Sequence, residues 1–151
     1  MTDTIATIAR LEELLRTVPQ RLADIPDDAA ALKPAPNRWS KKEILGHLID
    51  SAANNHQRFV RAQSAPRLEF PGYEQEFWVA TQAYATAPWP DLVNLWLLLN
   101  RHLLHVLKAM PPAVLSHECI IGGRPAVTLE ALAVDYLRHL NQHLTQLLPA
   151  A

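Results

Sequence analysis

Hydrophobic residues recur every three or four positions along most of this chain, and that spacing predicts helices with almost no strand. The first such stretch runs from Thr4 to about Asp24. Pro19 lies inside it, so we expect a kink or a break there. The segment from Ile25 to Pro36 contains three prolines and is predicted to be a connecting loop.

A second helix has a clearly marked start. Ser40 is a typical N-cap residue, and Glu43 lies three positions later, where its carboxylate can accept a hydrogen bond from the Ser40 amide. Trp39 is placed to pack on Ile44 across this start. The pattern predicts a helix from Ser40 to about Ser64.

The pattern weakens between Pro66 and Pro88, where a turn and a short helix from Glu74 to Tyr84 are expected. A third long helix is predicted from Pro90 to Pro111. Its apolar residues extend almost all the way around the helix, so we expect it to be deeply packed.

The last part of the chain contains a glycine pair followed by a fourth long helix. Gly122 and Gly123 stand between short apolar pieces and allow a small hairpin. Thr128 can cap a helix from Leu129 to about Leu148. Four long helices joined by one or two longer crossovers predict an all-α four-helix bundle. The length suits a single domain over residues 1–151.

Charge and composition narrow the possible partners and compartments. The net charge of −1 provides no electrostatic surface for nucleic acid, so no nucleic-acid partner is expected. The most apolar run, from Leu92 to Leu107, contains charged and amide side chains and is too short for a membrane span, so no membrane partner is expected. The N-terminus does not resemble a signal peptide, and the single cysteine, Cys119, suits a reducing compartment. We therefore predict a cytoplasmic protein.

Three histidines are placed as candidate metal ligands. His139 and His143 are four positions apart on the last helix, so one helical face presents both imidazoles. At about 100° per residue, His47 lies on the corresponding polar flank of the second helix. Such a pair also occurs by chance on amphipathic helices. His102 and His105 form a rival pair, although we favour buried, hydrogen-bonded rings at those two positions.

The residues around these histidines resemble a known family. The segment from Trp39 to Asp50, WSKKEILGHLID, and the segment from Asp135 to His143, DYLRHLNQH, are similar in order and separation to those of the DinB-like superfamily of damage-inducible proteins and metal-dependent thiol transferases. This resemblance covers most of the chain. It implies an antiparallel four-helix bundle that holds one divalent ion, commonly zinc or nickel. Carried over by motif, the ligands are His47, His139 and His143.

The reaction is open at this point. Three neutral imidazoles leave the charge of a divalent ion uncompensated, and a free fourth position can lower the pKa of a small thiol or of a water molecule. The resemblance does not fix the reaction, but some members of this family resemble S-transferases or isomerases that use low-molecular-weight thiols, so a thiol S-transferase is the function that we favour. The alternatives are a metal-dependent hydrolase and a non-catalytic bundle tied together by metal.

Several residues near the predicted ligands have two interpretations. Arg58, about three turns along the second helix from His47, can bind an anionic substrate group, although a solvated or inter-helix ion pair is favoured. Asp50 and Asp135 each lie about one helical turn from a ligand and can orient an imidazole or pair at the surface. Cys119 is interpreted as a semi-buried structural cysteine. The large apolar fraction suggests a homodimer.

Overall fold

Four long helices form the body of the structure, a computed structural model that describes residues 2–149. In chain order the α-helices of that range are α1 (Thr2–Ala23), α2 (Asp27–Ala31), α3 (Lys41–Arg61), α4 (Gln75–Thr81), α5 (Trp89–Ala109) and α6 (Leu129–Leu147). The long helices α1 and α3 each pack against both α5 and α6. The order around the bundle is therefore α1, α5, α3, α6, and the connections 24–40 and 110–128 link diagonally opposite helices. The predicted four-helix bundle with longer crossovers is confirmed.

A small three-stranded sheet lies beside the bundle. It contains β1 (Arg67–Phe70), β2 (Glu118–Ile121) and β3 (Val127–Thr128), in the order β1-β2-β3. The β2–β3 pair is antiparallel and turns through Gly122 and Gly123, whose φ angles are 60° and 72°. This confirms the hairpin that the glycine pair allowed. Strand β1 was not predicted, because its parallel partner β2 lies about fifty positions further along the chain.

The helix starts follow the predicted capping signals. Ser40 and Glu43 form the reciprocal capping box at the start of α3. The hydroxyl of Thr128 accepts a hydrogen bond from the Ala131 amide, 3.1 Å away, at the start of α6. These caps satisfy amide groups that have no partner within the helix. They also fix the rotational position of every later side chain on α3 and α6.

Two predictions about the long helices need correction. Of the kink or break expected at Pro19, the break is absent: helix α1 continues through Pro19, and Val18 and Leu22 on either side are buried in the core. Helix α5 is not packed on all sides, since Leu95 is 49% exposed and Leu98 is 61% exposed. The helices that pack on α5 are α1 and α3, together with the short helix α2. The homodimer expected from the apolar composition stays a prediction.

None of the helices in residues 2–149 has the length and apolar character required to cross a bilayer.

Candidate metal centre

The three predicted histidines meet where α3 packs against α6. His47 lies in the second turn of α3, and His139 and His143 lie one turn apart on α6. At the start of α3, the Glu43 amide donates to the Ser40 hydroxyl over 3.3 Å, and the Ser40 amide donates to Glu43 Oε1 over 3.0 Å. Because this cap sets where α3 begins, it also sets the direction in which His47 projects.

The ring nitrogens converge at a spacing that suits one metal ion. The Nε2 atoms of His47 and His139 are 3.1 Å apart, and one nitrogen from each ring, including that of His143, lies within 4.8 Å of the others. Two nitrogens bound to one tetrahedral zinc ion are about 3.3 Å apart, given Zn–N bonds of about 2.0–2.1 Å. Within residues 2–149, no other group of three histidine, cysteine or acidic side chains converges in this way. The three histidines could therefore hold a divalent ion.

The protonation of two of these rings also suits metal binding. Burial, followed by the charges of His139 and His143, lowers the pKa of His47 to about 4. Burial and the charge of His143 lower the pKa of His139 to about 4, against a smaller raising effect of Asp135. At neutral pH both rings are therefore uncharged, which is the state that donates a lone pair to a metal ion.

Two buried polar atoms in this region have no hydrogen-bond partner. They are Nδ1 of His47, which belongs to the cluster, and Oδ2 of Asp50, which lies about one turn further along α3. The other oxygen of Asp50 accepts hydrogen bonds from the Tyr84 hydroxyl over 2.7 Å and from Gln82 Nε2 over 2.8 Å. Asp50 is therefore held by the segment after α4, and its Oδ2 atom is free of partners in this structure. The role of Asp50 in orienting a ligand imidazole stays a prediction.

The second candidate for such a role, Asp135, is paired at the surface. Its Oδ1 atom accepts from the Arg138 guanidinium over 2.7 Å, and both side chains are more than half exposed. Asp135 still influences the centre, because its negative charge acts on His139 from one turn away. The surface pairing that was the alternative for Asp135 is the arrangement observed.

A cavity borders the histidine cluster and leaves room for a ligand that the protein does not supply. This outer cavity has a volume of about 610 Å³, and the residues that line it include His47, His139, Arg58, Tyr73, Glu74 and Arg124. A smaller inner cavity of about 280 Å³ shares His139, Arg58, Tyr73 and Arg124 with it and extends to Cys119 and Asp135. Catalytic metal sites keep one position open, whereas structural zinc sites are closed by four protein ligands.

Arg58 differs from the interpretation that the sequence favoured. The residue is 9% exposed, and within residues 2–149 no carboxylate forms an ion pair with it. The nearest hydrogen-bond acceptor is the carbonyl oxygen of Pro71, 3.5 Å from a guanidinium nitrogen. Burial lowers the pKa of the Arg58 guanidinium, but an arginine still keeps its charge at neutral pH. The favoured ion pair is wrong because α3 turns Arg58 towards the two cavities.

Cys119 is more deeply buried than expected. Its exposure is 0%, and burial raises the pKa of its thiol, which therefore stays protonated at neutral pH. His117 does not activate it, since the Nδ1 atom of His117 lies 2.7 Å from the carbonyl oxygen of Ala62. Cys119 is a structural residue of β2.

The prediction for the histidines on α5 is wrong. His102 and His105 are exposed, not buried. His102 makes an edge-on ring contact with His56 of α3 at 5.1 Å between centroids. These rings do not form a group of three converging ligands, so the rival ligand pair has no support in this structure.

Several side chains of the site were missed by reasoning from sequence. Tyr73 and Arg124 line both cavities, and Gln82 and Tyr84 hold Asp50. All four lie in the connections between helices, where the hydrophobic pattern is weak. The sequence contained one signal for this packing, namely Gly46 next to His47. A glycine within a helix often lets another segment approach the helix backbone closely.

Comparisons with known proteins agree with the fold. The DinB superfamily model matches residues 10–147. Among solved structures, the chain is similar to YfiT from Bacillus subtilis, described as "a probable metal-dependent hydrolase with an unusual four-helix bundle topology". The TM-score is 0.80 and the identity 20%, over 95% of this chain and 83% of that chain. No curated protein sequence matches the chain. At this identity, the likeness to YfiT shows a shared fold.

Proposed function

Because this chain belongs to the DinB superfamily and gathers three histidines at one point, we propose that it is a metal-dependent enzyme that transfers a low-molecular-weight thiol to an electrophile. The observation that carries the proposal is the convergence of His47, His139 and His143, two of which, His47 and His139, line the outer cavity. Zinc or nickel suits a site of imidazole nitrogens. One ion per chain is expected.

The residues of the site have separate roles in this proposal. His47, His139 and His143 hold the ion, and as neutral ligands they leave its positive charge uncompensated. When bound, the ion lowers the pKa of a coordinated thiol and so supplies a thiolate at neutral pH. Arg58 and Arg124 add positive charge to the cavity wall, which also favours the thiolate over the neutral thiol.

The nucleophile must come from outside the protein. Cys119 is the single cysteine, and its buried thiol keeps its proton. In the proposed reaction the external thiol loses its proton to solvent. Its sulfur then forms a bond to an electrophilic carbon, and the leaving group departs with the bonding electron pair.

The experiment measures conjugation of several cellular thiols to a chromogenic electrophile. Wild type is compared with His143→Ala and with the control His102→Ala, which removes an exposed imidazole outside the centre. Each protein is stripped of metal and then reloaded with zinc or nickel. We expect turnover that requires metal, disappears in His143→Ala and persists in His102→Ala. Absence of conjugation with every thiol, together with an unchanged spectrum of the cobalt-loaded protein on thiol addition, would reject thiol transfer.

Metal-dependent hydrolysis is the second candidate, because the structurally similar YfiT is described as a probable metal-dependent hydrolase. The ion held by the same three histidines would then lower the pKa of a water molecule instead of that of a thiol. Release of a chromogenic leaving group from ester or amide substrates without added thiol, again lost in His143→Ala, would favour hydrolysis. If neither activity appears in folded, metal-loaded protein, a non-catalytic metal site that ties α3 to α6 becomes the better interpretation.

A further inference from the structure

Arg58 is a buried charge with most of its hydrogen-bonding capacity unused. The residue is 9% exposed, and within residues 2–149 its guanidinium makes one hydrogen bond, of 3.5 Å, to the carbonyl oxygen of Pro71. A guanidinium carries five N–H donors, and a buried cation without a partner is unfavourable unless something compensates it. No carboxylate in that range forms an ion pair with Arg58. The structure therefore contains a cationic donor group that lacks an anion.

The position of Arg58 links it to the histidine cluster. It lines the outer cavity together with His47 and His139, and it lines the inner cavity together with His139. Because the two cavities share these lining residues, one molecule placed between them can contact both Arg58 and the open side of the metal centre. Volumes of about 280 Å³ and 610 Å³ are of the size that small-molecule ligands occupy.

The other charged side chains that line the two cavities do not neutralise the positive charge of Arg58. Arg124, in the exposed turn after β2, lines both cavities. Two carboxylates also line them. Asp135, in the inner cavity, is already paired with Arg138, and Glu74, in the outer cavity, is exposed to solvent. Neither compensates the buried guanidinium.

We propose that Arg58 binds an anionic group of the substrate, a carboxylate or another oxyanion, while the reacting end of the same molecule lies at His47, His139 and His143. A guanidinium presents parallel N–H groups that match the two oxygens of a carboxylate. The substrate is therefore a small acid. This assignment deepens the proposed function by naming the substrate class of the same site, and it holds for a thiol acid and for a hydrolysable acid alike.

The test compares anions with neutral molecules of the same shape. The zinc-loaded protein is titrated by calorimetry with propionate and benzoate, each against its own amide. The variant is Arg58→Gln, and the control is Arg61→Gln on the same helix, where the exposed guanidinium bonds to Gln57. We expect wild type and Arg61→Gln to bind the acids about tenfold to a hundredfold more tightly than the amides, the range of a charged hydrogen bond. Arg58→Gln should lose this preference.

Two outcomes overturn the assignment. If wild type does not prefer the acids, the cavity is not an anion site. If the preference persists in Arg58→Gln, the acid is bound by the metal or by Arg124. Should Arg58→Gln fail to fold, the side-chain Nε–Hε resonance of Arg58 in zinc-loaded wild type decides. It must shift with benzoate and not with benzamide, and a resonance that stays in place rejects the proposal.

The failure of this inference can be distinguished from the failure of thiol transfer. Loss of thiol conjugation with a retained, Arg58-dependent preference for acids would reject the transferase and keep the anion site. Intact conjugation without that preference would keep the transferase and reject the anion site.

Discussion

The aromatic ring of Tyr84 lies directly against the backbone of Gly46 on α3. A β-carbon built on Gly46 would stand 2.2 Å from Cδ2 and 2.3 Å from Cγ of Tyr84. The Tyr84 hydroxyl, at the other end of the ring, donates a hydrogen bond of 2.7 Å to Asp50. Gly46 thus lets the segment after α4 pack on α3, next to His47.

We predict that Gly46→Ala destabilises the protein by about 1–3 kcal/mol, the usual range for overpacking a well-packed interior. The clash involves the base of the ring, so the Tyr84 side chain must move as a whole and its hydrogen bond to Asp50 is strained or lost. Alanine favours a helix by about 1 kcal/mol over glycine, and this gain reduces the loss without cancelling it. Urea denaturation of the two proteins measures the difference.

Gly72→Ala is the matched control, because a β-carbon there would meet only the Cα of Gly122 at 3.8 Å. It should leave the unfolding midpoint nearly unchanged. A Gly46→Ala protein as stable as wild type would show that Tyr84 does not occupy this position in solution.

The second prediction concerns the metal ligands. Wild type should bind about one divalent ion per chain, and alanine at His47, His139 or His143 should lower occupancy sharply, because two imidazoles alone hold an ion weakly. Elemental analysis after dialysis against a weak chelator provides the measurement. His102→Ala is the control and should retain the ion. Full retention in a His47→Ala, His139→Ala double variant would place the metal elsewhere.

The features that the sequence predicted correctly depend on local spacing. The Ser40–Glu43 box and the Thr128 cap are signals of three to four residues, and they determine which way His47, His139 and His143 point. Helical geometry converts such spacings directly into shared faces. From the sequence, the meeting of the histidine-bearing flanks of the two helices was only geometrically possible. In the structure, the packing of α3 against α6 brings the three rings together.

The features that the sequence did not predict depend on contacts between distant segments. Strand β1 has a weak local pattern and exists through its pairing with β2. The burial of Arg58 depends on the loop at Pro71 and on β2, neither of which the periodicity of α3 describes. Helix α5 is apolar on nearly every side, so its sequence could not indicate which side faces solvent.

The third prediction concerns the helix cap that orients His47. Replacing Ser40 with alanine should destabilise the protein by about 1 kcal/mol or somewhat more, since the Glu43 amide then loses its acceptor at a buried position. Metal affinity should weaken modestly as the first turn of α3 frays. Thermal unfolding of metal-free and zinc-loaded protein measures both effects. Ser116→Ala, at an exposed serine, serves as the control, and an equal melting temperature for the two variants would contradict a stabilising cap.

The last prediction is the pH dependence of metal-free protein. His47 and His139 have pKa values of about 4 when folded, whereas an unfolded histidine has a pKa of about 6.5. Between these values the unfolded chain binds more protons, so the free energy of unfolding falls as the pH decreases through this window. The full contribution is present above about pH 6.5. One pKa unit corresponds to about 1.4 kcal/mol, so the two rings together should account for a few kcal/mol.

Urea denaturation at intervals from about pH 7.5 to 5 isolates this effect, because ordinary carboxylates stay ionised over most of that range. A His47→Asn, His139→Asn variant should show a much flatter profile, and His102→Asn should retain the wild-type slope. Zinc-loaded wild type should hold its stability to lower pH, since the ion competes with protons for the same nitrogens. A metal-free wild type whose stability does not change between pH 7.5 and 5 would mean that neither ring is held neutral by its surroundings.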